Sequence, residues 1–288
     1  MKFGLVANLK RIGAVETVHS CIAWARHTKQ DILLAEDLRD VVEGKNVFLP
    51  ERELARQVDV IVSMGGDGTL LATARAVGHL GTPILGINLG SLGFLTQQTP
   101  QQLMPALEAI VAKKYQLDER MLLHAEVDGS ETLPSSFALN DIVINNGPVS
   151  RLLDISLEVN GERVVTYKSD GLVIATPTGS TAYNLAVGGP IMHPSMDAII
   201  VAPISPFSLN TRPMIFRPDD RLEFQILSEE REASLTLDGQ VMITLQSSER
   251  VCLSRADFRA RFVVFPESSY YHLLKTKLNW GVHPNFRS

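Results

Sequence analysis

The residues Val60-Ile61-Val62-Ser63-Met64-Gly65-Gly66-Asp67-Gly68-Thr69-Leu70-Leu71 restrict the fold more than any other stretch. An apolar, β-branched run reads as a buried strand. It breaks at two glycines, an aspartate and a third glycine, and a helical pattern then runs from Thr69 through Ala72, Ala76 and Val77. Strand, glycine turn and helix together bring backbone N–H groups and a helix dipole to an anion, as α/β folds do at phosphate sites. Asp67 is the odd member, because a carboxylate repels phosphate. It fits a turn that must take a proton from a hydroxyl or hold a metal ion beside phosphates. The bland alternative is an Asp-Gly turn. Gly65-Gly66 before it and the strand feeding it favour the functional reading.

Two commoner nucleotide motifs fail. No G-x-x-x-x-G-K-[ST] occurs, and Leu71 stands where the third glycine of G-x-G-x-x-G belongs. The net charge is −5 over 288 residues, which argues against nucleic acid or an anionic membrane as partner. Cys21 and Cys252 lie far apart in apolar surroundings and read as buried thiols of a reducing compartment. The apolar run after Lys2 is too short for a signal-peptide core, and no run has membrane-spanning length. A soluble cytoplasmic protein is expected.

Strands and helices alternate first. Lys2–Ala7, Asp31–Ala35, 59–63 and 83–87 read as strands, with helices from Val15 to Ala25, over Glu51–Gln57 and over 69–77. Stretch 36–45 reads as loop. Thr99-Pro100-Gln101-Gln102 is a capping-box start for a helix through Leu103, Leu107, Ile110 and Val111. This alternation implies a parallel sheet. After about Lys114 strands follow one another. Ile155, Leu157 and Val159 alternate up to Asn160-Gly161, and Leu235 and Leu237 up to Asp238-Gly239, both hairpin signals. Segments 222–227, 251–254 and 261–264 add strands. Tyr271, Leu274 and Leu278 in the tail share one helical face. The expected fold is an α/β domain over 1–117, a mostly β domain over 118–265, and a segment 266–288 returning to the first.

A second polar stretch lies among the strands. Strand 172–175 feeds Thr176-Pro177-Thr178-Gly179-Ser180-Thr181-Ala182-Tyr183, and a short helix pattern opens toward Gly188-Gly189-Pro190. Hydroxyls and free N–H groups at a helix start suit an anion or a ribose, and Tyr183 can stack on a base. Asn140-Asp141 sits in the apolar run 137–144. Such side chains are either bonded into a network or placed at a strand end facing a cleft. Taken singly, Lys168, Asp170, Arg151 and Gln240 read as solvated residues, and the histidines show no metal spacing.

At these residues the chain resembles the NAD kinase family. The family's GGDGT turn stands as Gly65-Gly66-Asp67-Gly68-Thr69 and its TPTGSTAYxxxxGGP loop as 176–190. Its ALN(E/D)xVI strand stands as Ala138-Leu139-Asn140-Asp141-Ile142-Val143-Ile144. GGDGT alone is shared with 6-phosphofructokinases and with diacylglycerol and sphingosine kinases, whereas the long loop sets NAD kinase apart. Gly147-Pro148 before Arg151, with Lys168-Ser169-Asp170-Gly171, looks like the Gram-negative type. The resemblance implies a NAD kinase/diacylglycerol kinase-like fold. It also implies transfer of the γ-phosphoryl of ATP to the 2′-hydroxyl of the adenosine ribose of NAD, giving NADP. Asp67 would be the base, with Gly68 contacting the dinucleotide. Asn140 and Asp141 would hold its ribose and adenine side. Thr181, Ala182, Tyr183, Asn184, Leu185 and Ala186 would form a wall, and Arg151, Lys168, Asp170 and Gln240 would line the rest. Mg²⁺ would arrive mainly on the ATP phosphates, without a dedicated protein cage. Homo-oligomers, dimers or tetramers, are implied. The alternatives are another GGDGT kinase acting on a sugar phosphate or lipid, and a non-catalytic dinucleotide sensor. The family's NPxK is Asn8-Leu9-Lys10 here, without proline, and Lys168 replaces a frequent arginine, keeping charge without the planar fork.

Overall fold

Short apolar strands separated by amphipathic helices build the first part of the chain, in the order β1 (Lys2–Ala7), α1 (Ala14–Thr28), β2 (Asp31–Ala35), β3 (Phe48–Leu49), α2 (Glu51–Gln57), β4 (Val60–Gly65), α3 (Asp67–Val77), β5 (Ile84–Asn88) and α4 (Leu103–Val111). The computed structural model describes residues 1–91, 93–96, 98–128, 136–146, 152–228, 233–247, 249–266 and 269–279. The chain divides into two units, one of residues 1–118 with the described residues from 261 onward, the other of residues 119–260.

In the first unit the strands run parallel in the order β5-β4-β1-β2-β3. All six residues of β4 are buried, which is why it reads as a continuous apolar run rather than an alternating one. Helix α1 turns Val18, Cys21, Ile22 and Ala25 inward, the spacing of one helical face. Val18, Cys21 and Ile22 pack with Phe3, Leu5, Val62, Met64, Leu85 and residues of α4 in one core. Burial pushes the Cys21 thiol up to about 12, so it is an inert core group. The capping box before α4 forms as the sequence predicts, with Thr99 N–H donating to Gln102 Oε1 at 2.9 Å. β1 and β4 are neighbours while the chain departs from them in opposite directions, so the GGDG turn sits at the carboxyl end of the sheet where the strand order reverses. Open α/β sheets bind ligands at that place.

The second unit contains most of β6 (Gln116–Val127), then β7 (Phe137–Ala138), β8 (Asp141–Asn146), β9 (Leu153–Val159), β10 (Glu162–Ser169), β11 (Gly171–Ala175), α5 (Tyr183–Ala186), β12 (Ile199–Ile204), β13 (Met214–Phe216), β14 (Leu222–Ile226), β15 (Ala233–Leu237), β16 (Val241–Leu245) and most of β17 (Arg250–Val264). Six strands form an antiparallel sheet in the order β13-β12-β11-β8-β15-β16. Its inner face gives Ile142, Ile144, Leu172, Ile174 and Leu235 to a core shared with Ile155, Leu157, Phe224 and Leu253 of the antiparallel run β10-β9-β14-β17. The opposite face of its central strands is also buried, through Val143, Val173, Ala175, Ile200 and Ala202. Both predicted hairpins form. Asn160-Gly161 and Asp238-Gly239 hold φ values of 53° and 84°, and 51° and 64°, the left-handed pairs that two-residue hairpin turns require.

Two expectations change. Segments 251–254 and 261–264 belong to one strand of 15 residues, β17. The charges between them face outward, and Arg255 and Arg259 both pair with Asp197. The tail helix, α6 (Tyr270–Leu278), buries Leu274 as the spacing of Tyr271, Leu274 and Leu278 implies, but its other buried residue is Leu273 and Tyr271 is exposed, so the apolar face is shifted from the one read. α6 is part of the first unit, where the Lys277 ammonium lies 5.9 Å from the Phe94 ring centroid.

Candidate functional site

In the first unit, Gly66 caps α3 and Asp67 is its first residue. The Asp67 carboxylate accepts four hydrogen bonds from the loop after β5. Phe94 N–H reaches Oδ2 at 2.8 Å, while Leu95 N–H, Thr96 N–H and the Thr96 hydroxyl reach Oδ1 at 3.1, 3.0 and 3.0 Å. Gly93 is required there, since a Cβ on it would lie 2.0 Å from Asp67 Oδ1. Asn88 ties the same loop, donating to the carbonyls of Ser91 and Thr96. Asp67 thus has a second occupation that the sequence does not show: it pins a loop. Oδ2, with one bond, keeps capacity for a further donor.

Arg11 is a basic residue that motif reading passed over. A Cβ on Gly66 would be 3.6 Å, and one on Gly90 3.5 Å, from its guanidinium. The loop that lacks the family's proline is closed by Asn8, whose Oδ1 accepts the Lys10 N–H at 3.1 Å.

In the second unit a cleft of about 400 Å³ opens beside β8. Asp141, Val143 and Asn145 line it from alternate positions of that strand, so they share a face. Asn140 lies at the strand's start, Thr236, Asp238 and Gly239 come from the β15–β16 hairpin, and Ala182 and Tyr183 from the start of α5. Three turns are tied together at its end. Thr176 donates its N–H to Asn140 O at 2.9 Å and its hydroxyl to Leu139 O at 2.6 Å. Asp238 accepts the N–H groups of Leu139, Asn140 and Asp141 at 3.0, 2.7 and 3.2 Å. The Asn140-Asp141 pair is therefore both bonded into a network and placed at a cleft.

The other predicted residues fall elsewhere. Asn184 is fully buried and its amide donates to Ser180 O and Pro190 O, each at 3.0 Å, so it clips its loop shut from within. Thr181, Leu185 and Ala186 belong to the same turn and helix without lining the cleft. Lys168 is exposed and 3.9 Å from Asp154. Asp170 bonds through its backbone to Ile204 O and Asn146 N–H. Gln240 is exposed just past its hairpin turn. Arg151 lies outside the described residues. Asp67 and Gly68 belong to the first unit. Among the described residues no group of three or more His, Cys, Asp or Glu side chains is placed to hold a metal ion.

Burial, reinforced by the negative charge of Asp238 and opposed by a hydrogen bond from Tyr183 N–H, pushes the Asp141 carboxyl up to about 7. An unfolded aspartate titrates near 3.9. Between those values the folded chain binds more proton than the unfolded one. This contribution is complete below the unfolded value and is lost as pH rises through about 7. The Asp141→Asn variant removes it. Its unfolding free energy in urea, relative to the parent, should rise from about pH 4 to about pH 7 and level off above that, and a constant difference contradicts this.

Two family models cover the chain: the ATP-NAD kinase N-terminal domain matches residues 3–115 and the ATP-NAD kinase C-terminal domain residues 139–265. The chain belongs to the NAD kinase family. The NAD kinase of Geobacter sulfurreducens is 41% identical over 90% of this chain and 92% of its own length. That of Geotalea daltonii is 38% identical over 95% of this chain and 99% of its own. Among solved structures, yeast NADH kinase complexed with NADH has the same fold, with a TM-score of 0.86 at 22% identity over 100% of this chain and 89% of its own. An NAD kinase from Archaeoglobus fulgidus in complex with ATP gives a TM-score of 0.78 at 25% identity over 97% and 99%. The activity of this NAD kinase is phosphoryl transfer from ATP to the 2′-hydroxyl of NAD. The readings as a sugar-phosphate kinase, a lipid kinase or a sensor are not favoured.

Proposed function

We propose that NAD occupies the cleft beside β8, and the observation that carries this is the convergence there of Asn140, Asp141, Ala182 and Tyr183. Asn140 and Asp141 offer side-chain polar atoms to the adenosine ribose and adenine. Tyr183, with 41% of its surface exposed, offers a ring face for stacking. Thr181, Leu185 and Ala186 continue the wall, and Asn184 supports it from inside. Arg151, Lys168, Asp170 and Gln240 are assigned outer contacts, and Gly68 a backbone contact. Asp67 takes the proton from the 2′-hydroxyl as it attacks the γ-phosphorus, at Oδ2, which accepts only Phe94 N–H among the described residues. Phosphoryl transfer rests on such positioning and on charge neutralisation. A Mg²⁺ ion carried by ATP would supply the neutralising charge when bound. The enzyme works as a cytoplasmic homo-oligomer without membrane or nucleic-acid partners. Among the described residues no helix is long and apolar enough to cross a membrane.

The test is NADP formation by the purified chain, with light scattering on the same sample. NAD with Mg-ATP should be the preferred pair, turnover should stop on chelation, and the active species should be larger than a monomer. Equal turnover with NADH or with inorganic polyphosphate contradicts the donor and acceptor assignment. A sample that is active and monomeric at assay concentration contradicts the assembly.

A further inference from the structure

Leu139 and Asn140 lie between β7 and β8, and Asp141 is the first residue of β8, so three consecutive amides stand where one strand has ended and the next is only beginning. Buried amides must find acceptors. All three find the same one: Asp238 Oδ1 takes Asn140 and Asp141, and Oδ2 takes Leu139. The tie is reciprocal, because Asp238 N–H donates to Asp141 O at 2.9 Å. We propose that Asp238 is a positioning residue of the dinucleotide site, holding Asn140 and Asp141 at the geometry that NAD requires. This rests on the assignment of the cleft to NAD.

The sequence shows Asp238 only as the first residue of a hairpin turn, and its left-handed φ of 51° suits Asp, Asn or Gly there. A turn alone would be served by asparagine. An ionised carboxylate supplies two acceptor oxygens, and three amides need both. It also sets the charge felt by Asp141. The charge that acts on Asp141 is that of Asp238 from the hairpin, and the backbone N–H of Tyr183 at the start of α5 donates to its carboxylate. β11 presents Ala175 opposite it.

Two variants separate these contributions without forcing the backbone. Asp238→Gly removes the acceptor and keeps the left-handed turn. Asp238→Asn keeps one acceptor oxygen and removes the charge. In steady-state assays the Gly variant should raise the KM for NAD by about tenfold or more, as expected when buried donors lose their acceptor, with the KM for ATP unchanged. The Asn variant should move the pH midpoint of the NAD KM downward in part, because Asp141 loses its negative neighbour while the burial that contributes most to its raised carboxyl remains. A Gly variant with the parent's NAD KM, or an Asn variant whose midpoint stays in place, overturns the proposal. Asn140→Ala, run alongside, reads the underlying assignment. If that variant leaves the NAD KM unchanged, the cleft is not the NAD site and the proposal falls with it. If it raises the KM while both Asp238 variants do not, the positioning role alone fails.

Discussion

The Asp67→Asn variant should lose turnover by about 10²–10⁴-fold, the usual contribution of a positioned base. Asparagine matches the size of aspartate but cannot take the proton from the ribose hydroxyl. It also has one acceptor oxygen where the loop presents four donors. With its oxygen at the Oδ1 position, its amide NH₂ faces the Phe94 N–H, which in the parent sits 2.8 Å from Oδ2. A donor left against a donor costs about 1–3 kcal/mol. Amide exchange at Phe94, Leu95 and Thr96 should therefore quicken, while NAD affinity, which the proposed site assigns to Asn140, Asp141 and Tyr183, should hold within a few-fold. If Asp67 acts mainly through a metal, the lost turnover returns in part as Mg²⁺ is raised. Near-normal turnover contradicts the catalytic role. Quickened exchange with near-normal turnover leaves Asp67 as a loop pin alone.

A single methyl at Gly179 should be comparably damaging. Its Cβ would lie 2.0, 2.4 and 2.7 Å from the O, C and Cα of Asn140. All three are backbone atoms, so no rotamer change relieves the clash. Either Asn140 or the 176–179 turn must move, and the bonds from Thr176 to Asn140 O and Leu139 O are lost with it. A displacement of about 1 Å in a binding constellation costs on the order of 10²-fold. Gly179→Ala should therefore raise the KM for NAD by roughly that factor and lower the melting temperature. A folded Gly179→Ala protein with the parent's NAD KM contradicts the role given to the Asn140 turn.

Local chemistry made much of the fold legible. Apolar runs and helical spacing placed β1, β2, β4 and α1 to α4, and the Asn-Gly and Asp-Gly pairs placed two hairpins, because these depend on neighbours in sequence. β17 was misread because Arg255 and Arg259 interrupt its apolar pattern. Their partner Asp197 lies far away in the chain, and nothing local announces it. The site divides in the same way. Residue types at Asn140, Asp141 and Tyr183 pointed to a cleft that they do line. Asn184 has the polar character of a ligand contact, yet it is fully buried and its amide N–H groups go to its own loop. Asp67 and Asp238 bind amides in segments remote in sequence, so Asp67 read only as a proton acceptor or metal holder in its glycine turn, and Asp238 only as a hairpin turn residue, until the fold brought their amide partners in.

The claim on which the functional account depends is that NAD occupies the cleft beside β8. Hydrogen exchange on the intact chain, with and without saturating NAD, reads it directly. The account predicts slowed exchange confined in the second unit to the amides of 139–141, 182–186 and 238–240. Protection elsewhere in that unit, with these amides unchanged, contradicts it.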